Sequence, residues 1–286
     1  MSEEFTLEFG RRVKELRELH GRSLREVAEE AGIHRTMLGK IERGDREPSI
    51  SIAVSIADVL GVTITELTNP ESFRTPNERY VIEGADIMEE LPFDGSAILM
   101  GVEQAYENLD TIDFALQRRG LGPLAEQFDE YATLSTVIGE FFASGVAEAS
   151  DGVYQVNAGN FPDLVGTRTR GDVPGIEVKM AMETNQPKGH LPKTGMYIVV
   201  RYVLAERDKT YERGERTDTA WIWEVRMGTM EEEQFNESDT EGDSGKTATF
   251  SAQALWDFDC VYLDPHLIPY ARYERKDEDA LMAVRG

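Results

Sequence analysis

One cysteine in 286 residues, Cys260, leaves no internal disulfide and no thiolate-built zinc centre, and reads as core filler. Four scattered histidines (His20, His34, His190 and His266) argue against a histidine-rich metal site. No apolar run approaches the roughly 18 residues that span a bilayer, and the N-terminus lacks a secretory signal pattern. The expectation is a soluble, cytoplasmic chain without a membrane partner. Positive charge is also scarce. Thirty Lys and Arg face 54 Asp and Glu, for a net charge of −24, and only eight of the cations are lysines. Any metal must therefore be held by carboxylates.

Within that acidic surplus, residues 176–180 have the pattern of a strand. Successive strand side chains point to opposite faces, so Ile176, Val178 and Met180 share one face and Glu177 and Lys179 the other. A carboxylate and an ammonium then stand side by side. Asp163, behind Pro162, can return beside them from the preceding strand or turn. Oxygen ligands of this kind suit Mg2+, which keeps waters and needs only one or two protein carboxylates. Such an ion polarises a phosphate and acidifies its water, while Lys179 can orient that water or steady developing charge. The bland alternative is an edge strand whose Glu and Lys form a solvent-facing ion pair.

Pro162-Asp163, a spacer of 13 residues and Glu177-Val178-Lys179 resemble the PD-(D/E)xK signature of the restriction-endonuclease-like nucleases. A helical stretch (Leu124 to Ala149), a short strand (Val153 to Val156), the Asp, the Glu-x-Lys strand and a further buried strand follow in the order of that family's core. The resemblance implies a catalytic set of Asp163, Glu177 and Lys179. Asp163 and Glu177 would bind Mg2+ with the Val178 carbonyl, and Glu140 would add a carboxylate from the preceding helix, in competition with Glu130. Arg168 and Arg170 would contact phosphate from a turn near the metal. Gln186, Lys188, His190 and Lys193 form either a DNA-gripping loop or a plain surface loop.

The N-terminal segment carries a second pattern. Val13 and Leu16 repeat at helical spacing, and Ser23-Leu24-Arg25-Glu26 is a capping box opening a helix to Ala31. A third helix is expected from His34 to Arg43 with Gly44 as its stop, and Pro48-Ser49 restart the chain into Ile50 to Leu60. Across residues 8 to 68 this string resembles the Cro/repressor-like helix-turn-helix family. The resemblance makes the third helix the recognition helix. His34 then sits near phosphate, Arg35, Thr36, Gly39 and Lys40 face base edges, and Arg43 and Arg46 meet the backbone. Leu24 stands where the family usually carries a phosphate-binding Gln, which weakens one clamp.

The expected architecture is an α+β multidomain chain. An all-α helix-turn-helix domain (1–69) and a linker or spacer (70–123) precede a restriction-endonuclease-like α/β domain with a central mixed β-sheet (124–286). Ala97 to Val102 reads as a strand, and Tyr106, Leu109, Ile112 and Leu116 as a helix ending at Gly120. Tyr197 to Leu204 reads as a central strand and Trp221 to Met227 as a half-buried one. Residues 231–246 read as an acidic surface loop, whose Gly242 to Thr247 lacks the spacing of a phosphate loop, and Glu274 to Asp279 as a solvated charged end.

Residues 1–69 have ten Lys and Arg against thirteen Asp and Glu, a net of −3, so the acidity resides mainly downstream. The balance resembles that of proteins adapted to a high-salt cytoplasm, where self-repulsion is screened, and folding and DNA cleavage are expected to need high salt. The functional expectation is a Mg2+-dependent endonuclease acting on double-stranded DNA. Its most concrete form is a homodimeric type II restriction enzyme, with a cognate DNA methyltransferase as a candidate partner. The competing expectation is a non-enzymatic transcriptional regulator whose C-terminal domain dimerises or senses a ligand.

Overall fold

The computed structural model describes residues 3–62, 64, 67, 73–89, 91–167, 173–189, 191–238 and 247–285. They fall into two units, Met1–Thr75 and Pro76–Gly286.

In the first unit, local sequence signals set the helix ends. Helices α1 (Glu3–Leu19), α2 (Leu24–Glu30), α3 (Arg35–Glu42) and α4 (Ile50–Leu60) follow in order. Ser23 Oγ accepts from Glu26 N while the Glu26 carboxylate accepts from Ser23 N at 2.7 Å, the reciprocal bonds of a capping box. His34 Nδ1 and Ser49 Oγ accept from Thr36 N and Ile52 N to start α3 and α4. Gly44 has φ 72°, and a Cβ there would meet Leu7, so the stop after α3 requires glycine. Phe9, Val13, Leu16, Val27, Leu38, Ile41, Ile56 and Leu60 form the core. At its margin Arg17 grips buried Glu42 with two bonds, of 2.6 and 3.0 Å.

The second unit is built on a six-stranded mixed sheet flanked by helices. Two long helices, α5 (Gly95–Gln117) and α6 (Tyr131–Ala149), pack closely because Gly145 lacks a Cβ, which would otherwise lie 2.5 Å from the Met100 carbonyl oxygen. The strands are β1 (Tyr154–Val156), β2 (Leu164–Gly166), β3 (Ile176–Met182), β4 (Lys188–Gly189), β5 (Gly195–Ala205), β6 (Thr219–Met230), β7 (Phe235–Ser238), β8 (Thr247–Phe250) and β9 (Asp259–Leu263). The main sheet runs β1-β2-β3-β5-β6-β9, with β3 and β5 parallel and the other pairs antiparallel. A small sheet, β4-β8-β7, is followed by α7 (Ala252–Asp257), and α8 (Glu278–Arg285) closes the chain. No helix of the described residues is long and apolar enough to cross a membrane.

Several expectations are corrected here. Ala97 to Val102 lies inside α5, whose first turn is capped by Asp94 accepting from Ser96 N. The helix expected from Leu124 begins only at Tyr131, after a 3-10 turn at Leu124–Gln127. Of the segment 70–123, expected as a linker or spacer, the residues from Pro76 onward, α5 included, belong to the second unit. Tyr106 reaches into the sheet, where its hydroxyl donates to Ile222 O and accepts from Ile222 N, at the register shift between Arg201 and Tyr202. Strand β6 is buried on both faces, Glu224 and Arg226 included. Phe235–Ser238, expected as loop, forms β7, and residues 239–246 lie outside the described set. At the charged end Asp277 pairs with buried Arg226 at 2.5 Å instead of facing only solvent.

Candidate functional site

In the first unit, Arg35, Thr36 and Lys40 are exposed on α3. Arg46 is exposed beyond it, and exposed Arg43 is paired with Asp45 at 2.8 Å. His34 serves as the helix cap. Gly39, expected to face base edges, lies on the same helix. It is buried, and a Cβ at this position would make ordinary van der Waals contact with Arg43 Nη1 at 3.5 Å and Leu24 Cδ2 at 3.7 Å. Leu24 thus replaces the expected polar clamp with an apolar cover over the helix.

In the second unit, β2 and β3 meet through the pair Leu164–Ile176. The next residues outward are Asp163 and Glu177, so the antiparallel register sets these carboxylates across from each other. Asn157 fixes the incoming segment, its side chain donating to Pro162 O at 3.0 Å and its N–H to Asp163 O at 2.7 Å. Val178 N–H donates to Asp163 Oδ2 at 2.8 Å. The N–H and carbonyl of one strand residue point to the same side, so the Val178 carbonyl also faces the Asp163 edge. Lys179 donates to Glu177 Oε1, while Glu177 Oε2 is buried and has no hydrogen-bond partner among the described residues. Burial, followed by the charge of Glu177, pushes the Asp163 carboxyl up to about 6 against the Val178 N–H bond and Lys179. Two carboxylates are crowded here, and a side-chain hydrogen bond between Asp163 and Glu177 adds to the rise, as a proton shared by the pair would make it.

The remaining predicted residues divide clearly. Glu140 and Glu130 are exposed, and no three His, Cys, Asp or Glu side chains converge among the described residues. The reason for Glu140 is topological. Helix α6 covers the opposite face of β3, where the Cβ position of Gly139 lies 3.0 Å from Met180 Cγ and Ser135 bonds Tyr202. Lys188 is exposed on β4, paired with β8. Arg168, Arg170 and His190 lie outside the described residues. Cys260 is buried, and that burial pushes its thiol up to about 12, which suits an inert core position. Sequence reasoning left out Tyr197, which lies opposite Glu177 in the β3–β5 register; burial and then both carboxylates raise its hydroxyl pKa. A tyrosine in the strand after a buried-strand carboxylate is visible in the sequence, but not the parallel pairing that brings them together.

The helix-turn-helix model HTH_3 matches residues 13–67. The uncharacterized HTH-type transcriptional regulator YazB of Bacillus subtilis is 43% identical over 63 residues, which cover 22% of this chain and 91% of YazB. The HTH-type transcriptional regulator SutR of Escherichia coli is 35% identical over 65 residues, covering 23% of this chain and 36% of SutR. Among solved structures, the N-terminal DNA-binding domain of SinR from Bacillus subtilis is 38% identical, covering 21% of this chain and 87% of that one, with a TM-score of 0.20. Through its N-terminal unit the chain therefore belongs to the helix-turn-helix family.

Proposed function

We propose that the protein binds DNA through its first unit and hydrolyses the phosphodiester backbone with its second, as a Mg2+-dependent endonuclease of the PD-(D/E)xK type. The observation that carries this reading is the convergence of Asp163, Glu177 and Lys179 with one buried Glu177 oxygen left bare. A buried acceptor without a partner costs about 1–3 kcal/mol, and more when charged. A hard cation at this point would remove that cost. Asp163, Glu177 and the Val178 carbonyl form an all-oxygen donor set that suits Mg2+. When bound, Mg2+ would polarise the phosphate and acidify a coordinated water.

The chain's own residues supply the rest. The Val178 N–H holds the Asp163 carboxylate in one orientation. Lys179, fixed beside Glu177, would orient the attacking water and offset charge developing on the phosphate. Arg35, Thr36 and Lys40 would select the duplex, Arg35 through the bidentate guanine contact that its fork geometry allows. A homodimeric type II restriction enzyme in the cytoplasm, with a cognate methyltransferase, is the specific form this reading takes. Incubation of the protein with supercoiled plasmid should give nicked and linear DNA in Mg2+ and none in EDTA. Plasmid left intact with Mg2+ or Mn2+ across low to molar KCl would sink the nuclease.

A second reading, a helix-turn-helix transcriptional regulator, has its own support. YazB and SutR are named as HTH-type transcriptional regulators, and YazB is matched over nearly its whole length. The comparisons favour this reading over the first, which rests on the arrangement of Asp163, Glu177 and Lys179 alone. In a regulator the carboxylates and Lys179 would be a structural ion cluster, and footprinting would succeed where plasmid cutting failed. Both readings require the same DNA face. Arg35→Ala should weaken binding to a target duplex by about 1–3 kcal/mol, or roughly 5- to 150-fold. Equal affinity in a titration at fixed salt would remove Arg35 from that face.

A further inference from the structure

We propose that Lys193 is a second cationic positioning residue of the same centre, holding a non-bridging oxygen of the DNA backbone beside the carboxylate pair; this rests on the nuclease reading above. Two independent anchors bring it there. The first is aromatic: Lys193 Nζ lies 4.1 Å from the centroid of the Phe161 ring, and Phe161 stands two residues before Asp163. The second is in the backbone: Tyr197 donates its hydroxyl to Lys193 O at 2.7 Å, and Tyr197 lies opposite Glu177 in the sheet. The Phe161 ring completes the frame, with its centroid 6.5 Å from that of Tyr197 and its tip 3.7 Å from the Cβ position of Gly195. Lys193 is thus tied to the segment that carries Asp163 and to β5, the strand paired with Glu177's own.

An aromatic anchor beside Asp163, combined with an ammonium outside any ion pair of the described residues, sets it apart. Lys179 is paired with Glu177 and Lys209 with Asp264, whereas Lys193 makes no ion pair with a described carboxylate. This holds although residues 70–286 carry 41 Asp and Glu against 20 Lys and Arg. A ring face steadies an ammonium without neutralising it. The long stem is therefore restrained, and the charge stays available to an anion. Lys188, in the same connection, has no such anchor and is exposed.

Steady-state hydrolysis of a fluorescent duplex by the full chain, at several KCl concentrations, tests the assignment. Lys193→Ala should raise KM about tenfold while kcat falls less than about threefold, and Lys193→Arg should recover most of the loss. The plot of log(1/KM) against log[KCl] should become shallower by about 0.9, the loss of one phosphate contact. Phe161→Leu should move KM in the same direction, and it serves as the test if the alanine variant does not fold. Unchanged KM and salt slope would overturn the role of Lys193 and leave the nuclease standing. A fall confined to kcat would overturn it as well. A wild-type protein that never cuts removes the nuclease reading, and this inference with it.

Discussion

Replacing Lys179 by alanine is expected to slow Mg2+-dependent DNA hydrolysis by at least about a thousandfold, about 4 kcal/mol in activation free energy, with target affinity unchanged. The two effects separate because the residue lies in the second unit and the DNA-reading helix in the first. Lys179 bonds one oxygen of Glu177, whose other oxygen is bare, so the ammonium occupies one side of a carboxylate with its second side open. Under the nuclease reading it supplies a fixed positive charge where phosphate charge develops, an interaction worth more in the transition state than in the bound substrate. Single-turnover cleavage and an EDTA-containing binding titration measure the two quantities. Cleavage at the wild-type rate by a folded Lys179→Ala protein would falsify the assignment. Loss of cleavage and binding together would instead mean that the substitution disturbs the fold.

Much of this arrangement is legible in the residues. Ser23, His34, Gly44 and Ser49 are local signals, and each acts at the helix end where its chemistry predicts. The adjacency of Glu177 and Lys179 follows from strand alternation, and the antiparallel return of Asp163 needs only a short connection. What fails is tertiary. Ala97 to Val102 is a short apolar run, and such a run reads equally as a buried strand or as part of a buried helix. Family resemblance places Glu140 near the metal, yet α6 covers the wrong face of β3 for it to join. The Phe161–Lys193 contact joins residues from separate connections, which no periodicity signals. On β6, alternation predicts an outward-facing Glu224 and Arg226. Register shifts next to Arg201 on β5 and to Arg226 on β6, and cover from Trp256 and Tyr273, hide them instead.

That hidden cluster carries the largest expected effect on stability. Arg201 and Glu224 are fully buried and paired across β5 and β6. Arg226, 1% exposed, donates to Glu224 at 2.9 Å, Phe258 O at 2.8 Å, Tyr273 Oη at 3.1 Å and Asp277 at 2.5 Å. Trp256 lies beside both guanidiniums, 4.8 Å from Arg201 and 4.6 Å from Arg226. Burial opposes the charge on Arg226, but Glu224 and its other partners outweigh that and hold it protonated. Two cations thus balance one carboxylate within the sheet, Glu224, and one at its rim, Asp277. Removing one member exposes its partners to the full cost of an unpaired buried charge, about 3–5 kcal/mol. Arg226→Ala and Glu224→Ala should each lose about that much and lower the Tm by about 10 °C. Asp277→Asn, at the partly exposed rim, should lose about 1 kcal/mol. All three tryptophans (Trp221, Trp223 and Trp256) lie in the second unit, so their fluorescence in urea reports its unfolding separately from the helix-turn-helix. A loss below about 1 kcal/mol for Arg226→Ala would mean that water reaches Glu224 in solution, because only solvent could replace so many buried bonds at so small a cost.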